Sequence, residues 1–335
     1  MDTTVNESHN ESVIIVENLT KIYGREINLG VKEIGRKVVG AKNVSFKIKK
    51  GEIFGFLGPN GAGKTTTMRS MLNYLNIQEG HVTYFGNLDH KSDSLLIRER
   101  LAYVPGDVAL YGNYKGLELI EFFGKFRPID YEFLEELKRV FRVDLSLKIK
   151  NLSKGNRQQV ALIAAMASKP DLLIFDEPSS GLDPLMVVKL HNILRKLRDQ
   201  GITIFLSSHD LTEVQAICDR VGIIRDGEMI IIEAVEDLRQ KSLQNMTIEF
   251  YKDKAKPSEE DFMKLSTVIS VMEKRNGHNH NGTIIYILKI KENVNELIKF
   301  LGQYDIKRLS IENASLSDIF LTYYWGGLVN NVNHL

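Results

Sequence analysis

The run Gly58-Pro59-Asn60-Gly61-Ala62-Gly63-Lys64-Thr65 has the spacing G-x-x-x-x-G-K-[ST], and Thr66 opens a helix-like segment that reaches Leu72. An apolar run, Ile53 to Leu57, comes before it. Strand, glycine-rich turn and helix start is the context in which such a spacing forms a phosphate cradle. Glycines let consecutive backbone N–H groups turn inward around phosphate oxygens, and the positive end of the new helix adds to their field. Residues 58–66 are therefore candidates to cradle the phosphates of a nucleotide. Lys64 would reach the β and γ phosphates, and the Thr65 hydroxyl would bind Mg²⁺.

A second group of chemical residues sits at strand ends. Leu172-Leu173-Ile174-Phe175 is fully apolar and ends in Asp176-Glu177. A continuous apolar strand belongs in the middle of a parallel sheet, and carboxylates at its C-terminal end face the crevice where such sheets bind ligands. Asp176 would hold Mg²⁺, directly or through water, and Glu177 would orient or deprotonate the attacking water. The bland alternative is an acidic pair capping the next turn. The run Ile202 to Leu206 ends in Ser207-Ser208-His209, which brings His209 to the same edge, within reach of a γ-phosphate. Tyr23, just upstream of this region, could stack on adenine through its π face, although a Tyr at a strand end often serves packing alone.

These residues need a framework. Strand-like runs occur at Val13 to Val16, leading on to Tyr23, and at Val44 to Ile48, with a polar surface loop or hairpin extension over 24–39. From Leu117 to Arg142 the apolar spacing is helical, with Pro128 marking a break, so about 107–168 should form a helical subdomain. Ser153 suits the N-cap of a helix through Ala167.

Composition bounds the rest. At 335 residues the chain suits a nucleotide-binding domain plus a smaller one. With 44 basic and 43 acidic residues, nothing in the totals points to nucleic acid as a partner. The single cysteine, Cys218, excludes an intramolecular disulfide and reads as a small buried residue. Residues 1–12 lack a signal-peptide pattern and read as a disordered lead-in. No apolar run is long enough to predict a membrane span.

Taken together, these residues resemble the nucleotide-binding subunit of an ABC transporter over 13–232. Tyr23 matches the adenine-stacking position, Gly58 to Thr65 the Walker A loop, and Leu152 to Asn156 the signature. Leu172 to Asp176 match Walker B, Glu177 the catalytic glutamate, Ser180-Gly181-Leu182-Asp183 the D-loop, and His209 the switch histidine. The resemblance implies an α/β P-loop NTPase over 13–235 that hydrolyses Mg-ATP in a head-to-tail dimer, with a second copy or a paralogue. In such a dimer Ser153, Lys154, Gly155, Asn156 and Asp183 of one protomer would meet the nucleotide held by the other. It also implies a membrane-spanning transporter subunit as partner, and a place on the cytoplasmic face of the membrane.

Two departures stand out. Where the family has Gln after Val-Pro, this chain has Gly106 followed by Asp107. Asp107 could act through a water, bind the metal itself, or belong to a loop that couples only mechanically. Lys154 and Asn156 replace the third and fifth signature residues. Asn156 keeps an amide on a shorter arm, and Lys154 either adds charge near the γ-phosphate or faces solvent.

Over 236–335 the pattern reads βαββαβ, which suggests a small α+β domain of ferredoxin-like type. Its middle turn, 276–282, holds His278 and His280, a weak metal pair and more simply a hairpin loop. An amphipathic aromatic helix is expected over 316–325. The ending Leu-x-Asp-Ile-Phe-Leu resembles ATPases of drug, antibiotic or sodium exporters. Two rivals remain, an ABC ATPase acting on nucleic acid or ribosomes and a P-loop phosphotransferase.

Overall fold

The computed structural model describes residues 12–24, 27–28, 33–34, 37–240, 244–275, 283–290 and 294–313. The chain divides into two compact units, Met1–Val235 and Glu236–Leu335.

The first unit begins with β1 (Ser12–Tyr23), β2 (Ile27–Asn28), β3 (Glu33–Ile34), β4 (Val38–Lys49) and β5 (Ile53–Leu57), then α1 (Lys64–Met71). Next come β6 (Glu79–Tyr84), β7 (Leu88–Asp89), α2 (Ser94–Arg100) and β8 (Leu101–Val104), followed by α3 (Gly116–Gly124), α4 (Tyr131–Val140) and α5 (Lys154–Met166). It closes with β9 (Leu172–Asp176), α6 (Pro184–Asp199), β10 (Thr203–Ser208), α7 (Leu211–Ile217), β11 (Arg220–Arg225) and β12 (Glu228–Ala234).

Six strands form a sheet in the order β12-β11-β5-β10-β9-β8. Every neighbouring pair is parallel except the edge pair β11–β12. β5 and β9 are buried along their whole length, as apolar runs covered on both faces must be. The register sets Ser207 beside Asp176 and Ser208 beside Leu57, so the ends of β5, β9 and β10 share one edge.

A second sheet, β4-β1-β6-β7, is antiparallel. Its Phe46 packs against Phe54, Phe56 and Phe205 of the six-stranded sheet, with ring centroids 5.6 to 5.7 Å apart. Burying an aromatic side chain of this size contributes about 1.5–3 kcal/mol. This aromatic seam joins the two layers. The expected loop over 24–39 is shorter than its sequence suggests. Val38 and Val39 pair with Tyr23 and Ile22 as the start of β4, and β2 and β3 pair within the connection.

The helical segment follows its sequence pattern. α3 and α4 are separate helices with Pro128 between them, and Asp130 caps α4 by accepting from Phe133 N at 2.9 Å. Cys218 is buried against Gly55, where a Cβ would fall 2.8 Å from its sulfur. Burial pushes its thiol pKa well up.

The second unit contains β13 (Gln244–Tyr251), α8 (Glu259–Met263), β14 (Val268–Arg275), β15 (Thr283–Ile290), α9 (Asn295–Leu301) and β16 (Ile306–Asn313). The sheet order is β14-β15-β13-β16 with antiparallel neighbours, the ferredoxin-like arrangement. Met246, Ile248 and Phe250 of β13 meet Phe262, Leu288, Leu297 and Leu301 in its core. The lead-in, the histidine-bearing turn over 276–282 and the aromatic helix expected over 316–325 lie outside the described residues, apart from Ser12, which belongs to β1. Among the described residues, no helix is long and apolar enough to cross a membrane.

Candidate active site

The glycine-rich loop crosses from β5 into α1, and the backbone explains its composition. Gly63 takes φ 105° at the helix N-cap, and a Cβ there would sit 2.3 Å from Gly40 O. At Gly58 a Cβ would sit 2.5 Å from Ile224 O. Neither position admits a side chain. Two backbone bonds pin the loop, Gly58 N to Ser208 O at 3.2 Å and Gly227 N to Ala62 O at 2.9 Å.

Lys64 follows, with its side chain only 5% exposed. Its ammonium donates to Gly58 O at 2.7 Å and Pro59 O at 3.1 Å, and lies 3.3 Å from Glu177 Oε1. A buried ammonium needs such partners, and a phosphate oxygen is a stronger one than a carbonyl. Thr65 Oγ1 donates to Asp176 Oδ2 at 2.8 Å. A hydroxyl and a carboxylate at this spacing are hard oxygen donors of the kind Mg²⁺ takes. Ser207 Oγ donates to the other carboxylate oxygen, Asp176 Oδ1, at 2.6 Å.

Ser207 also accepts from Glu177 N, at 3.0 Å to its hydroxyl and 3.2 Å to its carbonyl. That support matters because Glu177 adopts φ 52°, in the left-handed region that non-glycine residues seldom occupy. Such strain costs about 1–3 kcal/mol and persists where the surroundings impose it. Held this way, the Glu177 carboxylate bridges two groups. Oε1 faces Lys64, and Oε2 lies 3.1 Å from His209 Nδ1. Burial, and then the charge of Asp176, push the Tyr103 phenol up to about 12.

The structure thus brings together Lys64, Thr65, Asp176, Glu177 and His209. Ser207 was not singled out from the sequence for any role. Its signal was a polar residue ending an apolar strand, and only the register placed it opposite Asp176. Tyr23 is 38% exposed, with its hydroxyl 3.2 Å from Thr66 Oγ1 and Lys21 Nζ 5.3 Å from its ring centroid. Gln78 brackets the backbone of Ile22 from both sides at 2.9 and 3.0 Å, which fixes the strand carrying Tyr23.

The signature residues stand apart from this cluster. Ser153 caps α5 by accepting from Asn156 N at 3.2 Å. Gly155 meets the D-loop of its own chain, where a Cβ would fall 2.5 Å from Gly181 O. Gln158 Nε2 donates to Pro178 O at 3.1 Å in the same buried seam. Asp183 caps α6, accepting from Met186 N at 2.9 Å. Among the described residues, no hydrogen bond or ion pair joins Ser153, Lys154, Gly155 or Asn156 to Lys64, Asp176, Glu177 or His209. At the departure site, Gly106 lies against Asp176, with a Cβ there 3.1 Å from Asp176 O. Asp107 beside it is exposed.

A family model described as ABC transporter matches residues 41–180. An uncharacterized ABC transporter ATP-binding protein of Methanocaldococcus jannaschii is 37% identical over 237 residues, 68% of this chain and 80% of that one. The linearmycin resistance ATP-binding protein LnrL of Bacillus subtilis is 35% identical over 62% of this chain and 68% of its own length. The ABC transporter ATP-binding protein NatA of the same organism is 36% identical over 61% of this chain and 85% of its own. Among solved structures, a dimeric ATP-binding cassette in a post-hydrolysis state bound to ADP and Pi is 26% identical. It aligns with TM-score 0.56 over 66% of this chain and 98% of that one.

Proposed function

The chain belongs to the ABC transporter ATP-binding proteins, a family of ATPases, and from that premise we propose that it powers export through a separate membrane-spanning subunit. The observation that carries the catalytic part is the Glu177 carboxylate, held in a strained backbone between Lys64 and His209 at the edge where β5, β9 and β10 end.

ATP would lie along residues 58–66 with its base against Tyr23. The loop N–H groups and Lys64 orient the β and γ phosphates, and Lys64 stabilises the charge that builds on the transferred group. Glu177 takes a proton from the attacking water or orients it. His209, hydrogen-bonded to Glu177, holds that carboxylate in place and faces the γ-phosphate. Thr65 and Asp176 would hold Mg²⁺, which when bound neutralises phosphate charge. Ser207 keeps Asp176 oriented for that role.

A second protomer would complete the site. Ser153, Lys154, Gly155 and Asn156 cap an exposed helix start and are coupled through Gly181 to the D-loop. A nucleotide on a partner protomer is the ligand this helix N-terminus would meet. The dimeric ADP-bound relative supports that reading. ATP then favours the closed dimer and hydrolysis the open one, by differential affinity.

Export rests on the relative whose name concerns linearmycin resistance. The place for a membrane partner is a cleft of about 200 Å³ lined by Tyr103, Pro105, Val108, Phe123, Arg127 and Ala164, between the end of β8 and the helical segment. Occupation of that cleft would reach Asp176 through Gly106, and would set the protein on the cytoplasmic face of the membrane. Affinity purification of the tagged chain from detergent-solubilised membranes tests this. A multi-span protein in the complex, raising ATP turnover, is expected. Turnover raised by DNA or ribosomes, with no membrane protein recovered, would overturn it.

A further inference from the structure

Away from the nucleotide site, the β6–β7 edge of the antiparallel sheet gathers three metal-ligating side chains: His81 on β6, Asp89 at the end of β7, and His90 beside it. One ligand atom from each lies within 4.8 Å of the others. Asp89 Oδ2 is the centre, 3.3 Å from His81 Nδ1 and 3.6 Å from His90 Nδ1. With metal–ligand bonds of about 2.0–2.1 Å, the edge of a tetrahedron is about 3.3 Å. Two of the three separations are thus close to what a single ion requires. The third closes by rotation of His81, whose side chain is 52% exposed.

The rest of the site is built to hold these atoms. Asp89 Oδ1 accepts from Ser92 N at 2.8 Å, Lys91 N at 2.9 Å and Ser92 Oγ at 3.2 Å, which leaves Oδ2 turned toward the histidines. A ligating carboxylate anchored through its other oxygen is the arrangement that orients metal ligands. His90 gives the independent sign. It is 3% exposed, and neither ring nitrogen has a hydrogen-bond partner. An unpaired buried imidazole nitrogen is costly unless something else satisfies it.

We propose that His81, Asp89 and His90 form a binding site for a divalent transition-metal ion, with Zn²⁺ as the fitting class. Two imidazoles and one carboxylate suit Zn²⁺, Ni²⁺ or Co²⁺ and not Mg²⁺, which takes oxygen ligands. Three protein ligands leave a fourth position for water or an exogenous donor. The ion ties β6 to the turn after β7 and satisfies the buried His90. It is distinct from any ion carried by the nucleotide.

The test uses the full chain without a polyhistidine tag, stripped with chelator and free of nucleotide, titrated with Co²⁺ and read by visible absorption. One equivalent with the intense band of a four-coordinate ion is expected, displaced by Zn²⁺, together with a metal-dependent rise in Tm. His81→Ala removes an exposed ligand and leaves the fold intact. It and Asp89→Asn should each weaken binding by about 10-fold or more. A His278→Ala/His280→Ala double variant should bind as the parent does. Absence of the band at stoichiometric Co²⁺, or a band kept by both His81→Ala and Asp89→Asn, would overturn the assignment.

Discussion

Ser207 Oγ donates to Asp176 Oδ1 at 2.6 Å across the β9–β10 pair, and the same oxygen accepts from Glu177 N at 3.0 Å. One hydroxyl thus supports both acidic residues of the site. A hydrogen bond to a charged group contributes ~1.5–3 kcal/mol, and each 1.4 kcal/mol in the barrier is about tenfold in rate. Ser207→Ala is therefore expected to lower kcat by about 10- to 100-fold while the ATP dissociation constant changes little. Phosphate-release kinetics with equilibrium nucleotide binding checks this, and an unchanged kcat would remove Ser207 from the site.

Glu177→Gln keeps the shape of the side chain and removes its basicity. Loss of a positioned base costs about 10²- to 10⁴-fold. We expect ATP binding to survive, turnover to fall by that amount and a dimer to accumulate with ATP, visible by light scattering after gel filtration. Turnover near the parental rate would show that another group activates the water.

Gly155→Ala places a methyl 2.5 Å from Gly181 O, closer than a Cβ packs against a backbone carbonyl, so the two segments must separate. The signature helix must then move off the D-loop. Dimer formation and dimer-dependent turnover should fall by about tenfold or more, a barrier change of ~1.4 kcal/mol, while a single protomer still binds ATP. Sedimentation with and without ATP separates the two effects.

Asp107→Ala tests the departure after Val-Pro. Gly106 touches Asp176, and Asp107 points its exposure to solvent. We expect kcat to stay within about threefold, less than ~0.7 kcal/mol in the barrier. A fall of tenfold or more would put the Asp107 carboxylate on the metal or its water.

Much of this was legible in local pattern. The glycine spacing, the two apolar strands with polar ends, the Ser153 cap and the break at Pro128 each depend on neighbours a few residues away. The same holds for the βαββαβ order of the second unit. The order of its strands in the sheet followed from matching that βαββαβ order to the ferredoxin-like type, since alternation alone marks a strand and says nothing of which strand lies beside it.

By itself the sequence determined which residues can do chemistry and the elements that carry them, since phosphate cradles, caps and strand patterns are short-range consequences of residue type. Only the tertiary structure decided which of them meet. Ser207 and Asp176 are 31 positions apart and come together through parallel register, which packing of the two sheets selects. Gly155 is held to glycine by a carbonyl from Gly181, a constraint with no trace in its own neighbourhood. His81 and His90 converge on Asp89 because β6 and β7 turn back on each other, and a buried imidazole shows its lack of a partner only once the chain has closed around it.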